Sequence, residues 1–202
     1  MPFKPHPSAV SRRRKPGYRR AFWQLSVGLL CLLVAGEAFP RDERQVAYAV
    51  KAALIFKLAK FIDWPKNVVQ SETLHFCLVG PDRFGTSLKT LVRKPVKGMQ
   101  VINLGGRGEE TGLDGCQIVF FSDDNPEKQQ TLLLQYGRHP MMTISDQPGF
   151  LQRGGMLYLG RKGKKMAITI NRSAVQRSGL QVSALLFQLS LVVTDDLPGR
   201  DR

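Results

Sequence analysis

The chain has 202 residues, 30 of them Lys or Arg against 16 Asp or Glu, for a formal charge of +14. Apolar residues make up 43% and charged residues 23%, the balance of a globular protein and neither a disordered nor a fibrous one. Three Cys and three His, with no CxxC, no HExxH and no His pair at ligand spacing, exclude a zinc framework, and no residue set for another cofactor stands out.

The excess charge is concentrated at the start. Residues 1–38 carry seven basic residues and one acid, Glu37, which leaves 23 basic against 15 acidic residues, a net +8, for the rest. After Arg20 an apolar run extends from Ala21 to Ala35, and Gly36 and Ala38 follow at the spacing a signal peptidase reads. A basic start, a short apolar run and a small-x-small site predict a secretory signal peptide over residues 1–38 and export to the periplasm. The run falls short of the roughly 20 residues a membrane-spanning helix needs. Leu30 before Cys31 does not suit a lipoprotein signal. Arg12–Lys15 alone would suit a nucleic-acid arm, but such an arm leaves the apolar run unexplained, so no nucleic-acid partner is expected. Removal of the leader leaves Cys77 and Cys116, an even pair in an oxidising compartment. A disulfide is the expectation; two buried thiols on neighbouring strands are the alternative.

Residues 39–202 read as one domain of alternating helices and strands. Ala, Leu, Lys and Gln dominate 43–63, with no Gly or Pro before Pro65, which predicts a helix. Leu74–Gly80 reads as a buried strand ending in a Gly-Pro turn, Phe84–Val92 as a short helix and Met99–Leu104 as a second strand. The Gly-rich stretch 105–112 reads as a loop. Cys116–Ser122 is apolar enough for a strand covered on both faces. Asn125-Pro126-Glu127 opens a helix to about Tyr136, with Asn as N-cap and Pro at the first position. Met141–Ser145 follows as a fourth strand, and Met156–Gly160 with Lys165–Ile170 forms a hairpin turning at Gly163. Residues 172–178 suit a short helix, and 183–194 an apolar final one. The pattern predicts an α/β sheet covered by helices on both faces, with an antiparallel hairpin toward one side.

Catalytic signatures are missing. No GxSxG occurs; His75 lies in a strand and His139 stands before Pro140. The pairs Asp123-Asp124 and Asp195-Asp196 sit at element ends, where solvated charge is the ordinary explanation. Asp146, in Ser145-Asp146-Gln147-Pro148-Gly149, reads as a turn residue whose side chain caps its own backbone. Gly80–Gly85 joins a strand to a helix whose amides could face an anion, which makes Asp82, Arg83 and Phe84, with Asp146, the candidates for a ligand pocket. The basic groups Lys89, Arg93, Lys94, Lys97 and Arg161, Lys162, Lys164, Lys165 read as solvated turns.

The first helix is the informative element. At 100° per residue Val46, Val50, Leu54, Leu58, Phe61 and Ile62 share a stripe, read as the core face, with Ile55 at its margin. Ala49, Ala52, Ala53, Phe56 and Lys60 lie opposite. A helix apolar on two sides is deeply buried or meets a second partner. Lys51, Phe56 and Lys60 are therefore the candidates for partner binding, and Lys51 must either snorkel or find an acid.

The run Lys51–Pro65 (KAALIFKLAKFIDWP) resembles the opening signature of the YfiR-like periplasmic proteins. Phe76-Cys77-Leu78-Val79-Gly80 with Phe84-Gly85, Ser145–Phe150, Gly154-Gly155-Met156, Ile170-Asn171, Ser178-Gly179-Leu180 and Ser183–Leu186 continue the pattern in order. Lys57 and Leu58 depart from it. The resemblance implies a non-enzymatic periplasmic regulator. Such proteins repress an inner-membrane diguanylate cyclase by binding its periplasmic domain, which lowers cyclic-di-GMP and biofilm formation. It also implies a homodimer and, in some systems, an outer-membrane lipoprotein that sequesters the repressor. A periplasmic small-molecule-binding module feeding a histidine kinase or transporter is the alternative.

Overall fold

A computed structural model describes residues 40–69, 72–108, 110–163 and 165–195. The expected signal peptide, 1–38, lies outside the described residues. Helix α1 spans Pro40–Ala59. It ends earlier than the composition suggested, because Ile62–Asp63 leaves the helical path to form a short strand, β1. That strand pairs antiparallel with β8, Gln181–Val182.

The main sheet begins with β2 (Thr73–Val79) and β3 (Gln100–Arg107), joined through helix α2 (Thr86–Leu91). The first three residues of the predicted loop at 105–112 are therefore strand. Its glycines mark a bulge: the register slips between Phe76 and Cys77, Gly105 takes a φ of 77°, and its amide donates to Asn103 Oδ1 at 2.9 Å. Strand β4 (Ile118–Phe121), helix α3 (Pro126–Tyr136) and strand β5 (Met142–Ser145) follow. Asn125 caps α3 as expected, accepting from the amides of Glu127 and Lys128. Strands β6 (Leu157–Lys162) and β7 (Lys165–Asn171) form the antiparallel hairpin. Helix α4 (Arg172–Ser178) leads to β8, then to helix α5 (Ala184–Leu189) and strand β9 (Leu191–Val193).

The expected single helix over 183–194 is thus two elements. Ser190 turns extended, and the β-branched pair Val192-Val193 pairs with β7; β-branched side chains suit a pleated ladder better than a helix. The seven strands run in the order β3-β2-β4-β5-β6-β7-β9. All pairings are parallel except β6–β7, which is the mixed α/β sheet the alternation predicted.

Two apolar layers sandwich this sheet. On one face α1, α4 and α5 pack on Leu74, Phe76, Ile118, Phe120, Ile144, Leu157 and Ile170. On the other, Leu132, Leu133 and Tyr136 of α3 pack on Val79, Val119 and Phe121, with Phe150 and Leu151. The second layer also holds Cys77 and Cys116, joined in a disulfide with a Cα–Cα distance of 5.9 Å.

Candidate functional site

Helix α1 lies over the first layer with its core face rotated from the stripe its hydropathy suggested: Leu58 and Ile62 are buried as expected, with Ile55 beside them, but Val46 and Val50 turn outward. Tyr48, Ala52, Ile55, Phe56, Leu58 and Ala59 are buried, whereas Val46 is 57% and Val50 44% exposed. Phe56 is only 6% exposed and belongs to the core, not to a surface. Small side chains decide: Ala52 and Ala59 let the helix backbone press close, and Tyr48 sets its ring edge-on to Phe84 at 5.4 Å. Val46, Val50 and half-buried Leu54 then form an outward apolar ridge.

Asp146 fixes this orientation. Ser145, not Asp146, serves the turn: its hydroxyl accepts from the Gln147 amide at 3.0 Å and donates to Phe121 O at 2.7 Å. The Asp146 carboxylate is thereby free to reach α1. Its Oδ2 accepts from Tyr48 Oη at 2.8 Å and from Lys51 Nζ at 2.5 Å, and its Oδ1 from Gln147 Nε2 at 3.1 Å. Lys51 and Asp146 side chains are 13% and 7% exposed, and Lys51 Nζ also stands 4.1 Å above the Tyr48 ring. Burial first, then the adjacent carboxylate, pushes the Tyr48 phenol up to about 12. The Tyr48 hydroxyl, together with Asp146 and Asp124, raises the Arg83 guanidinium above its ordinary value, although burial opposes this. Gln45 adds a bond to Phe84 O at 3.2 Å.

The residues first assigned to a ligand pocket divide between two roles. Arg83 and Asp146 converge with Tyr48 and Lys51. Asp82 instead turns back on the chain, its Oδ1 accepting from the amides of Phe84 at 2.8 Å and Gly85 at 3.1 Å. Phe84 is fully buried against Tyr48, Phe76 and Phe120. The crevice between β2 and β4, where parallel sheets commonly bind ligands, is stitched together. Gly80 lies so close to Asp123 that an added Cβ would meet its amide nitrogen at 2.5 Å. Ser122 Oγ also donates to Val79 O at 3.1 Å and to Pro81 O at 2.6 Å. A cavity of about 810 Å³ lies elsewhere, between the 148–152 turn, Tyr158, Thr169, Asn171 and residues 192–195.

Lys60 is exposed at the end of α1, away from the Asp146 clamp. Sequence reasoning missed Tyr48, three residues before Lys51 on one helix face. The signal was the lysine itself: a cation inside an apolar arc demands an acid, and an aromatic hydroxyl one turn away completes that acid's bonds.

The arrangement defines an α/β domain with a clamped helix that presents an apolar ridge outward. The chain belongs to the YfiR/HmsC-like family, whose model matches residues 48–191. Among solved structures it is similar to a conserved domain protein from Vibrio cholerae O1 biovar El Tor, at 10% identity and a TM-score of 0.48. That similarity covers 73% of this chain, which spans 60% of the length of the Vibrio protein. Among the described residues no helix is long and apolar enough to cross a membrane.

Proposed function

We infer that this protein is a periplasmic regulator, exported by residues 1–38 and folded as one domain over 39–202. It binds the periplasmic sensor domain of an inner-membrane diguanylate cyclase and holds the enzyme inactive, so that cyclic-di-GMP and biofilm formation fall. The observation that carries this reading is membership of the YfiR/HmsC-like family over residues 48–191. The outward ridge of α1 supports it, because exposed Val46 and Val50 on a rigidly held helix suit protein contact better than solvent. Lys51 acts in this scheme by positioning the helix through Asp146, and Lys60 is exposed just past the end of α1. An outer-membrane lipoprotein that competes for the same ridge would release the cyclase, in proportion to its differential affinity for free and bound repressor.

The test is intracellular cyclic-di-GMP in a deletion strain complemented with wild type, Val50→Asp or Asp146→Asn. Wild type is expected to restore the low level and Val50→Asp to leave it high at normal protein abundance. A deletion that leaves cyclic-di-GMP unchanged would overturn the cyclase assignment. Phe56→Asp is not a fair probe of the ridge, since it would place a charge in the core.

A further inference from the structure

From Gln147 to Thr194 the chain holds seven cations and no acid. Three of the seven are satisfied inside the fold. Arg153 donates to Gln129 Oε1 and Pro148 O, Arg177 pairs with Asp195, and Arg172 stands over the Phe187 ring. The other four, Arg161, Lys162, Lys164 and Lys165, crowd the turn of the β6–β7 hairpin around Gly163. Among the described residues Arg161, Lys162 and Lys165 are exposed and make no ion pair. Lys162 stands directly opposite Lys165 in the ladder, an arrangement of like charges that costs the sheet stability. The segments outside the description do not relieve it. Residues 1–39 carry seven bases against one acid, and residues 196–202 two of each. The hairpin also carries this charge away from the sheet. Strand β5 pairs with β6 only at Leu157 and Tyr158, and β9 with β7 only at 169–171. Four residues of each hairpin strand therefore run on paired only with each other, a length of about 13 Å at the usual rise. Leu159 and Gly160 are buried at the base, and exposure begins at Arg161. Alternation along β6 puts Arg161 on the side of Leu157 and Leu159, and Lys162 on the side of Tyr158. The cations thus flank the turn on both faces of the hairpin.

We propose that this basic tip docks on an anionic phospholipid surface, whose headgroup phosphates supply the counter-charge that this part of the chain lacks. Three features select lipid over an acidic protein. The cations splay to both faces instead of converging on one pocket. Three of the four are Lys, a point charge without the planar fork that Arg offers a carboxylate. A turn of five residues is also too small for the roughly 800 Å² per partner of a stable protein interface, whereas attraction to an anionic bilayer adds up charge by charge. The proposal rests on the export half of the reading above. It would hold the regulator beside the membrane of its target, whichever protein that target is.

The experiment is co-sedimentation of the chain, as cells process it, with vesicles of equal parts phosphatidylglycerol and phosphatidylcholine. Wild type is expected to bind these, to ignore pure phosphatidylcholine and to be released by raised salt. At about fivefold per cation, Arg161→Gln, Lys162→Gln, Lys164→Gln and Lys165→Gln combined should weaken binding on the order of a few hundredfold. Lys66→Gln, Lys89→Gln, Lys94→Gln and Arg138→Gln combined remove the same charge at exposed positions elsewhere and should weaken it far less. The N-terminus is the same in every variant, so it affects all of them alike. A wild type that does not bind, or two combined variants that lose binding equally, would overturn the proposal. So would a tip variant that loses repression in cells when wild type ignores the vesicles, a result that assigns the tip to an acidic protein. If the tip variant fails to fold, acetylation of wild type decides. Anionic vesicles are expected to slow it at Lys162 and Lys165 but not at Lys66 and Lys89, and equal slowing overturns the proposal. Vesicle binding is read on purified protein and cyclic-di-GMP in cells, so either reading can fail without the other.

Discussion

Two regions of the main sheet solve different problems. In the region formed by β2, β4 and β5, every residue of β4 and β5 is buried and helices or loops cover both faces. Its crevice is stitched by Gly80 and Ser122, and a disulfide closes a separation of 39 residues beside it. In the part formed by β6, β7 and β9 the packing is looser, and even Met166 and Ile168, on the face that meets the core, are only half-buried. Leu157, Leu159 and Ile170 point into the core there, while Tyr158 and Thr169 on the other face are half-buried and β9 is exposed. The strands record this in their composition: Ile118–Phe121 is apolar without a break, whereas Lys165–Asn171 alternates. One region holds positions; the other region and the outer ridge of α1 offer surface.

The sharpest way to break that contrast is a pair of truncations. Phe120→Ala, in the doubly covered region, is expected to cost about 3–5 kcal/mol through lost burial and the cavity left behind. Thr169→Ala, on the half-buried face, is expected to stay within about 0.5 kcal/mol. Urea unfolding of the two variants checks both; equal losses would mean that the second region is packed as tightly as the first. Next comes the cross-link. Closing a loop of this length contributes about 4 kcal/mol in the chain-entropy model, so reduction of Cys77–Cys116 should lower the urea midpoint well below that of the oxidised protein. A midpoint unmoved by reduction would show that the doubly covered region is held by packing alone.

Local signals made the first region readable from sequence. Continuous apolar runs marked β2, β4 and β5, and Asn125-Pro126 marked the start of α3 with its cap in place. The even cysteine pair indicated the disulfide. Errors gathered where tertiary contact chose between equal local options. On α1 the expected stripe held at Leu58 and Ile62 but not at Val46 and Val50, because the helix seats the small residues Ala52 and Ala59 inward, which no hydropathy sum registers. The 183–194 run was apolar at any period, and only the free edge of β7 made Leu191–Val193 a strand. Asp146 was read as a local cap because turn chemistry acts over two residues, whereas its partners Tyr48 and Lys51 lie 98 and 95 residues away. Lys51 foretold an acid, but nothing local identified which one.

The faces of α1 give a finer comparison. Asp146→Asn removes the anion that holds Tyr48 and leaves Lys51 largely buried without its counter-charge, a loss of about 2 kcal/mol for charge-assisted bonds of this kind. Val46→Asp, on the outer ridge, should change stability by less than about 0.5 kcal/mol. If the two variants melted alike, the clamp would not be what seats the helix.

The smallest expected effect isolates Tyr48 itself. Its phenol is raised from the ordinary 10.0 to about 12, chiefly by burial and then by the neighbouring carboxylate. The folded state therefore keeps the proton after the unfolded chain has lost it. As pH rises above 10 the unfolded state gains relative to the folded one, so stability contributed by this group is complete below pH 10 and declines toward pH 12. Tyr48→Phe isolates this contribution: the variant lacks the titrating proton and should show a shallower fall of stability with alkaline pH. Parallel curves for wild type and Tyr48→Phe would mean that the hydroxyl is solvated and that Lys51 alone holds α1 to Asp146.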